Sequence, residues 1–253
     1  MRWFDTHCHL DRLPAGSDLA AALARAKRVG VERFIVPGVA GPPQRVAELV
    51  AFAGVELAWG VHPDFIDVSS LADCSTLPWQ SAGFKPVAIG ECGLDRRSSI
   101  PLDVQEKAFV WQLELAAKFD LPVIIHLVGY YQRAFDLLAA MPEKPRLVMH
   151  SWSGSPEMAL RFVKAGACVS VSGGHLRRPE KLAKLLALLP LSSLLLETDS
   201  PDMAAPFWSG DCNEPSALPL IGAAVAEIAG IPVEKLAEIL YNNSVDLFGE
   251  SRQ

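Results

Sequence analysis

No two cysteines in this 253-residue sequence stand at CxxC spacing, and their number is odd: Cys8, Cys74, Cys92, Cys168 and Cys212. A disulfide framework is therefore not expected, and a reducing cytoplasm is. Positive charge is scarce. Against 29 Asp and Glu there are 23 Lys and Arg, a net charge of −6, which excludes a strongly basic nucleic-acid coat but not a local basic patch. No apolar run is long enough for a bilayer. The most apolar stretch, Leu185 to Leu196, is broken by Pro190, Ser192 and Ser193. The opening Met1-Arg2-Trp3-Phe4-Asp5-Thr6-His7 meets polar residues too soon for a signal peptide. There is no Gly-, Ser- or Pro-rich linker, charge block or sequence repeat, so a single domain over residues 1–253 is expected. There is also no GxGxxG, Walker or GxSxG motif, which removes the common nucleotide-binding loops and the serine-nucleophile elbow.

Half of the residues are apolar and 21% are charged, a globular balance. At this length a chain buries about 75% of its unfolded surface. Short apolar, β-branched runs recur about every thirty residues, each followed by a loop and a helix-like stretch. They predict eight strands: Trp3–Thr6, Arg33–Val36, Glu56–Gly60, Val87–Gly90, Val123–Ile125, Arg146–Met149, Cys168–Val171 and Leu194–Glu197. Runs such as Pro122-Val123-Ile124-Ile125 suit strands buried on both faces, and hence parallel pairing under helices. Eightfold β-then-α alternation predicts an α/β fold of the closed (β/α)₈ TIM-barrel type, with a doubly wound open sheet as the alternative. Helix starts are read at Asp103 with Glu106 three residues on, at Ser155-Pro156-Glu157, at Ser216 and at Pro232–Glu234. The first of these helices should carry Val104, Ala108, Trp111 and Leu115 on one face.

The placement of the histidines points to chemistry. His7, His9, His62, His126 and His150 each fall at or just past the C-terminal end of a predicted strand, and His175 follows the seventh strand across Gly173-Gly174. Glu91 ends the fourth strand and Asp199 the eighth. Barrels gather these ends at one mouth, where their catalytic groups stand. In His7-Cys8-His9 strand alternation puts both imidazoles on one side and Cys8 on the other. The pair either shares a divalent ion or is ordinary polar turn sequence. Glu91 closes a near-apolar strand and needs a positive partner, either Arg96 or Arg97 or a metal. His126 and His150 alone would be satisfied rim histidines, and Asp199 alone a cap or salt-bridge partner. Taken together, four imidazoles and two carboxylates at the ends of five strands fit a single N/O-ligated site better than six separate explanations.

Several of these segments resemble a known family. Asp5-Thr6-His7-Cys8-His9-Leu10-Asp11, Gly60-Val61-His62-Pro63, Ile89-Gly90-Glu91-Cys92-Gly93-Leu94-Asp95, Leu121–His126, His150-Ser151-Trp152-Ser153-Gly154 and Glu197-Thr198-Asp199-Ser200-Pro201 are similar to motifs of the TatD family of metal-dependent hydrolases. So are Asn213-Glu214-Pro215-Ser216 and Asn242-Asn243. The resemblance implies an amidohydrolase-type barrel with two divalent ions. His7 and His9 would bind the first, with Asp199 on that side, His126 and His150 the second, and Glu91 would bridge them. His62 would stand behind the ligands or touch substrate. The family implies a hydrolase, in several members a DNase trimming DNA from the 3′ end. This chain departs from the family where Leu127-Val128 replace the usual Ser-Arg. Arg133 or a neighbouring loop could substitute for that arginine.

These observations together predict a phosphodiesterase, a 3′–5′ exodeoxyribonuclease that uses a hydroxide held by two divalent cations. Asp199 and Glu91 would be its catalytic carboxylates, and His62, Arg96 and Arg177 its substrate contacts. Imidazole and carboxylate donors favour Zn or Mn, with Mg possible in the working enzyme. Arg12, Arg96-Arg97 and Arg177-Arg178, all in loops after strands, should ring the mouth and meet DNA ends or a small phosphoester. Cys92 should be packing, and His175 fits a pocket or a surface equally. No membrane and no obligate protein partner are expected. The alternative enzyme is an amidohydrolase of a small amide, ester or lactone. A non-enzymatic metal-binding protein is the third reading.

Overall fold

Val, Ile, Leu and Phe fill the strand segments because a strand covered by helices outside and packed against its neighbours inside has no solvent face. The computed structural model describes residues 1–14, 16–67, 79, 83–210 and 212–250; Cys74 lies outside them. The strands are β1 (Trp3–Asp5), β2 (Val31–Val36), β3 (Ala40–Gly41), β4 (Val55–Val61), β5 (Ala88–Asp95), β6 (Val123–Val128), β7 (Leu147–Met149), β8 (Ala167–Val171) and β9 (Leu194–Leu196). Eight of them run parallel in the order β1-β2-β4-β5-β6-β7-β8-β9, and the two-residue β3 pairs antiparallel with β4. All eight predicted strands are present. β3 was not expected, since Ala40-Gly41 carries no strand signal. β1 and β9 share no ladder. The backbone still bridges them: Thr6 N–H donates to Leu196 O (3.2 Å), Asp199 N–H to His7 O (2.9 Å) and His9 N–H to Ser200 O (2.7 Å). The barrel is therefore nearly closed, and the open sheet is excluded.

The helices are α1 (Leu19–Arg28), α2 (Val46–Leu49), α3 (Leu102–Lys118), α4 (Tyr131–Ala140), α5 (Pro156–Lys164), α6 (Pro179–Leu188), α7 (Leu218–Ala229) and α8 (Val233–Phe248). The main core lies between strands and helices. A second buried cluster takes Phe4, Ile35, Ala58, Ala88, Ile124, Val148 and Leu195 from seven strands and adds Leu247 and Phe248 from the end of α8. These residues fill the barrel interior toward its N-terminal end. There the buried pair Arg33–Glu56 (2.6 Å) also donates to Gly249 O, and Arg146 donates to Leu247 O. With that end plugged, the C-terminal ends of the strands are left for chemistry.

The helix starts are only partly as expected. Ser155 caps α5, its side chain accepting from Met158 N–H (3.2 Å), and Pro232 precedes α8 with Glu234 in its first turn. Asp103 is not a cap. Pro101 precedes α3, and Asp103 lies in the first turn, 3.4 Å from Lys107. On α3 Ala108 and Leu115 are buried while Val104 and Trp111 are half-buried, because the core face is centred on Gln105, Phe109 and Gln112. Ser216 does not start α7 either. It lies in a 3-10 turn, Pro215–Ala217, where its hydroxyl donates to Glu214, and α7 begins at Leu218. Among the described residues no single helix is long and apolar enough to cross a membrane.

Candidate metal centre

His7 and His9 lie past the end of β1, yet the alternation expected of a strand holds. Cys8 N–H donates to Ile35 O of β2 on one side, and on the other Thr6 bonds to Leu196 at the end of β9 and residues 7 and 9 to the segment after it. Cys8 is therefore buried in the outer core, and the two rings turn to the mouth with their Nε2 atoms 3.2 Å apart. Glu91 and His126 stand within β5 and β6, since both strands run further than their apolar residues indicate. Gly60 makes this possible: a Cβ there would sit 2.3–2.6 Å from the Gly90–Glu91 backbone. His62 and His150 follow β4 and β7, and Asp199 follows β9.

All six candidate ligands converge, and His62 joins them. The two oxygens of Glu91 face different imidazoles. Oε2 is 3.5 Å from His7 Nε2 and 3.6 Å from His9 Nε2. Oε1 is 2.8 Å from His126 Nδ1, 3.5 Å from His150 Nε2 and 3.9 Å from His62 Nε2. Asp199 divides likewise, with Oδ1 3.6 and 3.7 Å from His7 and His9 and Oδ2 3.8 Å from His150. Donors around a tetrahedral ion with bonds of about 2.0–2.2 Å stand about 3.3–3.6 Å apart. Glu91 and Asp199 lie 3.5–3.7 Å from the Nε2 atoms of His7 and His9, and those two atoms are 3.2 Å apart, close to that spacing, so the residues fit a divalent cation. Three overlapping groups have this character: His7 with His9 and Glu91, His7 with His150 and Asp199, and His62 with Glu91 and His126.

Behind the imidazoles stand two carboxylates that the strand pattern alone does not assign a role. Asp95 Oδ2 lies 2.9 Å from His126 Nε2, and Glu197 Oε1 lies 3.0 Å from His150 Nδ1. A carboxylate behind a ligating imidazole orients the ring and raises its basicity. Strand alternation signals both, since Asp95 is four residues beyond Glu91 and Glu197 two before Asp199. Glu197 also accepts from Ser151 N–H, and Asp95 forms a two-pronged pair with Arg97.

The electrostatics follow from dense packing of opposite charges. Burial opposes charge on His126, but hydrogen bonds to Asp95 and Glu91 overcome it and hold the ring up to about 9. Burial likewise opposes charge on His150, and Glu197, Asp199 and Glu91 raise it to about 10. Burial would raise Glu91, yet His150, His126 and His7 hold it well below the usual carboxylate range. Asp199 is pushed up to about 6, mainly by burial, although His150 and His7 pull it down. Burial, aided by His7, lowers His9 to about 3. Burial also lowers His62 to about 4, so it is neutral at pH 7. Asp64 N–H donates to His62 Nδ1 (3.1 Å), which places that ring's proton on Nε2, facing Glu91. A ring with Nδ1 accepting and Nε2 protonated is a donor, which suits contact with substrate better than metal ligation.

Arg12, Arg96, Arg97 and Arg177 stand on loops at the same end, and Arg133 stands in the first turn of α4. Arg97 is taken by Asp95 and Arg133 by Glu106 (2.6 Å). Arg96 is exposed, its stem lying across Gly129. That residue has a φ of +70°, and a Cβ there would come within 2.5 Å of the Arg96 side chain. Arg12 packs over the Phe65 ring (5.2 Å), and Arg177 donates to Ala204 O (3.0 Å). His175 is a tie between loops: Nε2 donates to Trp152 O (2.8 Å) and Nδ1 accepts from Ser172 N–H (3.1 Å). Cys92 packs in the core, as expected.

A parallel barrel with clustered imidazoles and carboxylates at the C-terminal mouth defines the class of metal-dependent hydrolases. Comparison with known proteins gives the family. The family described as TatD related DNase matches residues 4–249, and the chain belongs to it. It is 37% identical over 262 residues, with 98% of each chain covered, to an uncharacterized metal-dependent hydrolase, YjjV, of Escherichia coli K12. It is 34% identical, over 97% of this chain and 99% of the other, to a protein of Pantoea ananatis named 3′-5′ ssDNA/RNA exonuclease TatD. The crystal structure of the Escherichia coli YjjV, a TatD homologue, superposes with a TM-score of 0.85 at 34% identity, covering 98% of both chains. The chain is thus a TatD-type metal-dependent hydrolase.

Proposed function

We propose that His7, His9 and Asp199 would hold one divalent cation and His126 and His150 a second, with Glu91 facing both sets, and that the chain hydrolyses phosphodiesters at the 3′ end of single-stranded DNA. The observation that carries this is the division of the two Glu91 oxygens between the two pairs of imidazoles. What such cations supply is Lewis acidity toward a phosphoryl oxygen and a lowered pKa for water. Mixed imidazole and carboxylate donors suit Zn or Mn better than Mg.

The remaining work falls to this chain's own side chains. Asp199, on the mouth side of the cluster, orients the attacking water and takes its proton. Asp95 and Glu197 keep His126 and His150 turned toward Glu91. Neutral His62 offers its Nε2–H to a non-bridging phosphate oxygen. Arg96, free of any carboxylate among the described residues, and Arg177 steer the polyanion. The exposed rings of Phe65, Tyr130 and Phe207 stand on loops after β4, β6 and β9 and give unpaired bases surfaces on which to stack. The relative named as a single-strand exonuclease supports the same substrate. The site draws on residues from His7 to Asp199, so the chain works as one unit over 1–253. Cys8, Cys92, Cys168 and Cys212 are free thiols, in keeping with the cytoplasm.

The test is shortening of a 5′-labelled single-stranded oligonucleotide with Mn, Mg or Zn added back at low salt. A ladder of products shortened from the 3′ end supports the proposal, and no shortening with any of the three refutes it. The apolar pair Leu127-Val128 behind His126 favours the second reading, a small amide, ester or lactone substrate. Salt separates the two: affinity for a polyanion falls steeply as salt rises, and affinity for a neutral small molecule hardly changes.

A further inference from the structure

A cavity of about 260 Å³ opens beside the cluster, between the loops that follow β7, β8 and β9, and none of the candidate ligands lines it. One wall is cationic: Arg177, Arg178 and Lys181. The other is apolar: Trp152, Leu185 and Met203. Among the described residues no Asp or Glu lines it, so none of them within it balances the three positive charges. Two of the cations are held in place through backbone carbonyls rather than acids, Arg177 on Ala204 O (3.0 Å) and Lys181 on Ser153 O (2.7 Å). Arg178 makes no side-chain hydrogen bond or ion pair among the described residues. Burial and the neighbouring Arg178 both lower Lys181, as expected of a cation that lacks a counter-charge.

The wall facing the hydrolytic centre is built of Ser151, the residue after His150. Its N–H is fixed on Glu197 (2.8 Å) and its hydroxyl on Ser172 (3.0 Å). His175 ties Trp152 to Ser172 across the back. The cavity is thus a preformed compartment adjoining the centre. It falls just below the usual range for drug-sized ligands, about 300–1,000 Å³. A small ligand that suits it is anionic at one end and flat and uncharged at the other.

Building on the nucleic-acid reading above, we infer that this cavity is a nucleotide subsite. It holds the strand unit next to the scissile phosphate, with that unit's phosphate on Arg178 and Lys181 and its base against Trp152 and Met203. Phosphate is recognised by guanidinium and ammonium donors, and the base gains from burial against the aromatic and thioether walls.

The test compares the metal-loaded wild-type enzyme with the R178A/K181A double variant and with R178E. Calorimetry measures binding of 5′-dAMP, deoxyadenosine and inorganic phosphate, and turnover is followed on an oligonucleotide and on bis(p-nitrophenyl) phosphate. The inference expects wild type to bind 5′-dAMP more tightly than either fragment and both variants to bind it about tenfold or more weaker. Loss of kcat/KM on the oligonucleotide should exceed loss on the chromogenic diester by a similar factor. Equal 5′-dAMP affinity in wild type and variants overturns it, as does an equal loss on both substrates, which would place these cations in support of the centre itself. If 5′-dAMP binding depends on Arg178 and Lys181 but no oligonucleotide is shortened, the exonuclease reading fails and the nucleotide subsite stands.

Discussion

At the scale of single residues, Asp199 and Asp95 do different work although both are acids at the mouth. Asp199 faces three imidazoles at 3.6–3.8 Å. As the proposed proton acceptor, it should tolerate isosteric replacement structurally: Asp199→Asn should keep the thermal transition of the cation-free protein while lowering kcat about 10²–10⁴-fold at saturating metal, read on bis(p-nitrophenyl) phosphate. Asp95 acts through His126, 2.9 Å away. Asp95→Asn should weaken cation affinity about 10–100-fold, measured by metal titration, with kcat largely restored at saturating metal. Restoration separates positioning from catalysis. The candidate ligands were legible because each is a polar residue ending an apolar run. Asp95 and Glu197 were not assigned roles because an acid behind a ring gives no linear signal beyond alternation. His62 was legible as a site residue, but its donor character depends on the Asp64 N–H, a contact that only the turn creates.

Among the elements, α3 controls the mouth through two buried glutamines. Gln112 accepts from Val61 N–H (2.7 Å) and donates to Val61 O (3.0 Å), and Gln105 does the same for Asp95 (2.8 and 3.1 Å). Each side-chain amide stands in for a missing ladder partner at the end of β4 or β5, one residue before His62 or at Asp95. Gln112→Leu would leave a buried N–H and C=O unpaired and should cost about 1–3 kcal/mol in denaturant unfolding. It should also raise KM more than a surface control such as Lys107→Ala, because His62 is no longer held. An apolar-stripe reading of α3 finds Ala108 and Leu115 and passes over the glutamines, since in sequence a buried amide cannot be told from one facing solvent. Similarly, Ser155 was legible as a cap because its side chain finds its bond locally, whereas Asp103 was outcompeted by Pro101, which sets the helix start two residues earlier.

Across the whole molecule, one end of the barrel is a clasp and the other a reaction site. At the closed end Arg33 and Glu56 are buried against Phe4. Removing one partner leaves an uncompensated charge, so Glu56→Ala should destabilise the fold by about 3–5 kcal/mol without changing cation affinity of the folded fraction. At the open end, cations that bind only the folded chain add stability by mass action. Chelation should lower the melting temperature by about 5–15 °C and abolish turnover, with both recovered on adding Zn or Mn back. An unchanged transition after verified metal removal would contradict the proposed pair of sites. The β1–β9 seam is where these effects meet, since the hydrogen bonds that close it run through residues 6, 7 and 9 and through Asp199 and Ser200. By itself the sequence determined the alternation of strands and helices, the barrel that follows from it, and the polar residues that end each strand, because these depend on short-range pattern and on burial averaged over a few residues. Tertiary structure alone decided which oxygen of Glu91 meets which imidazole, which arginines are spent on carboxylates and where a cavity opens beside the centre. Those outcomes turn on ångström-scale distances between groups up to about 190 residues apart, and no local pattern encodes them.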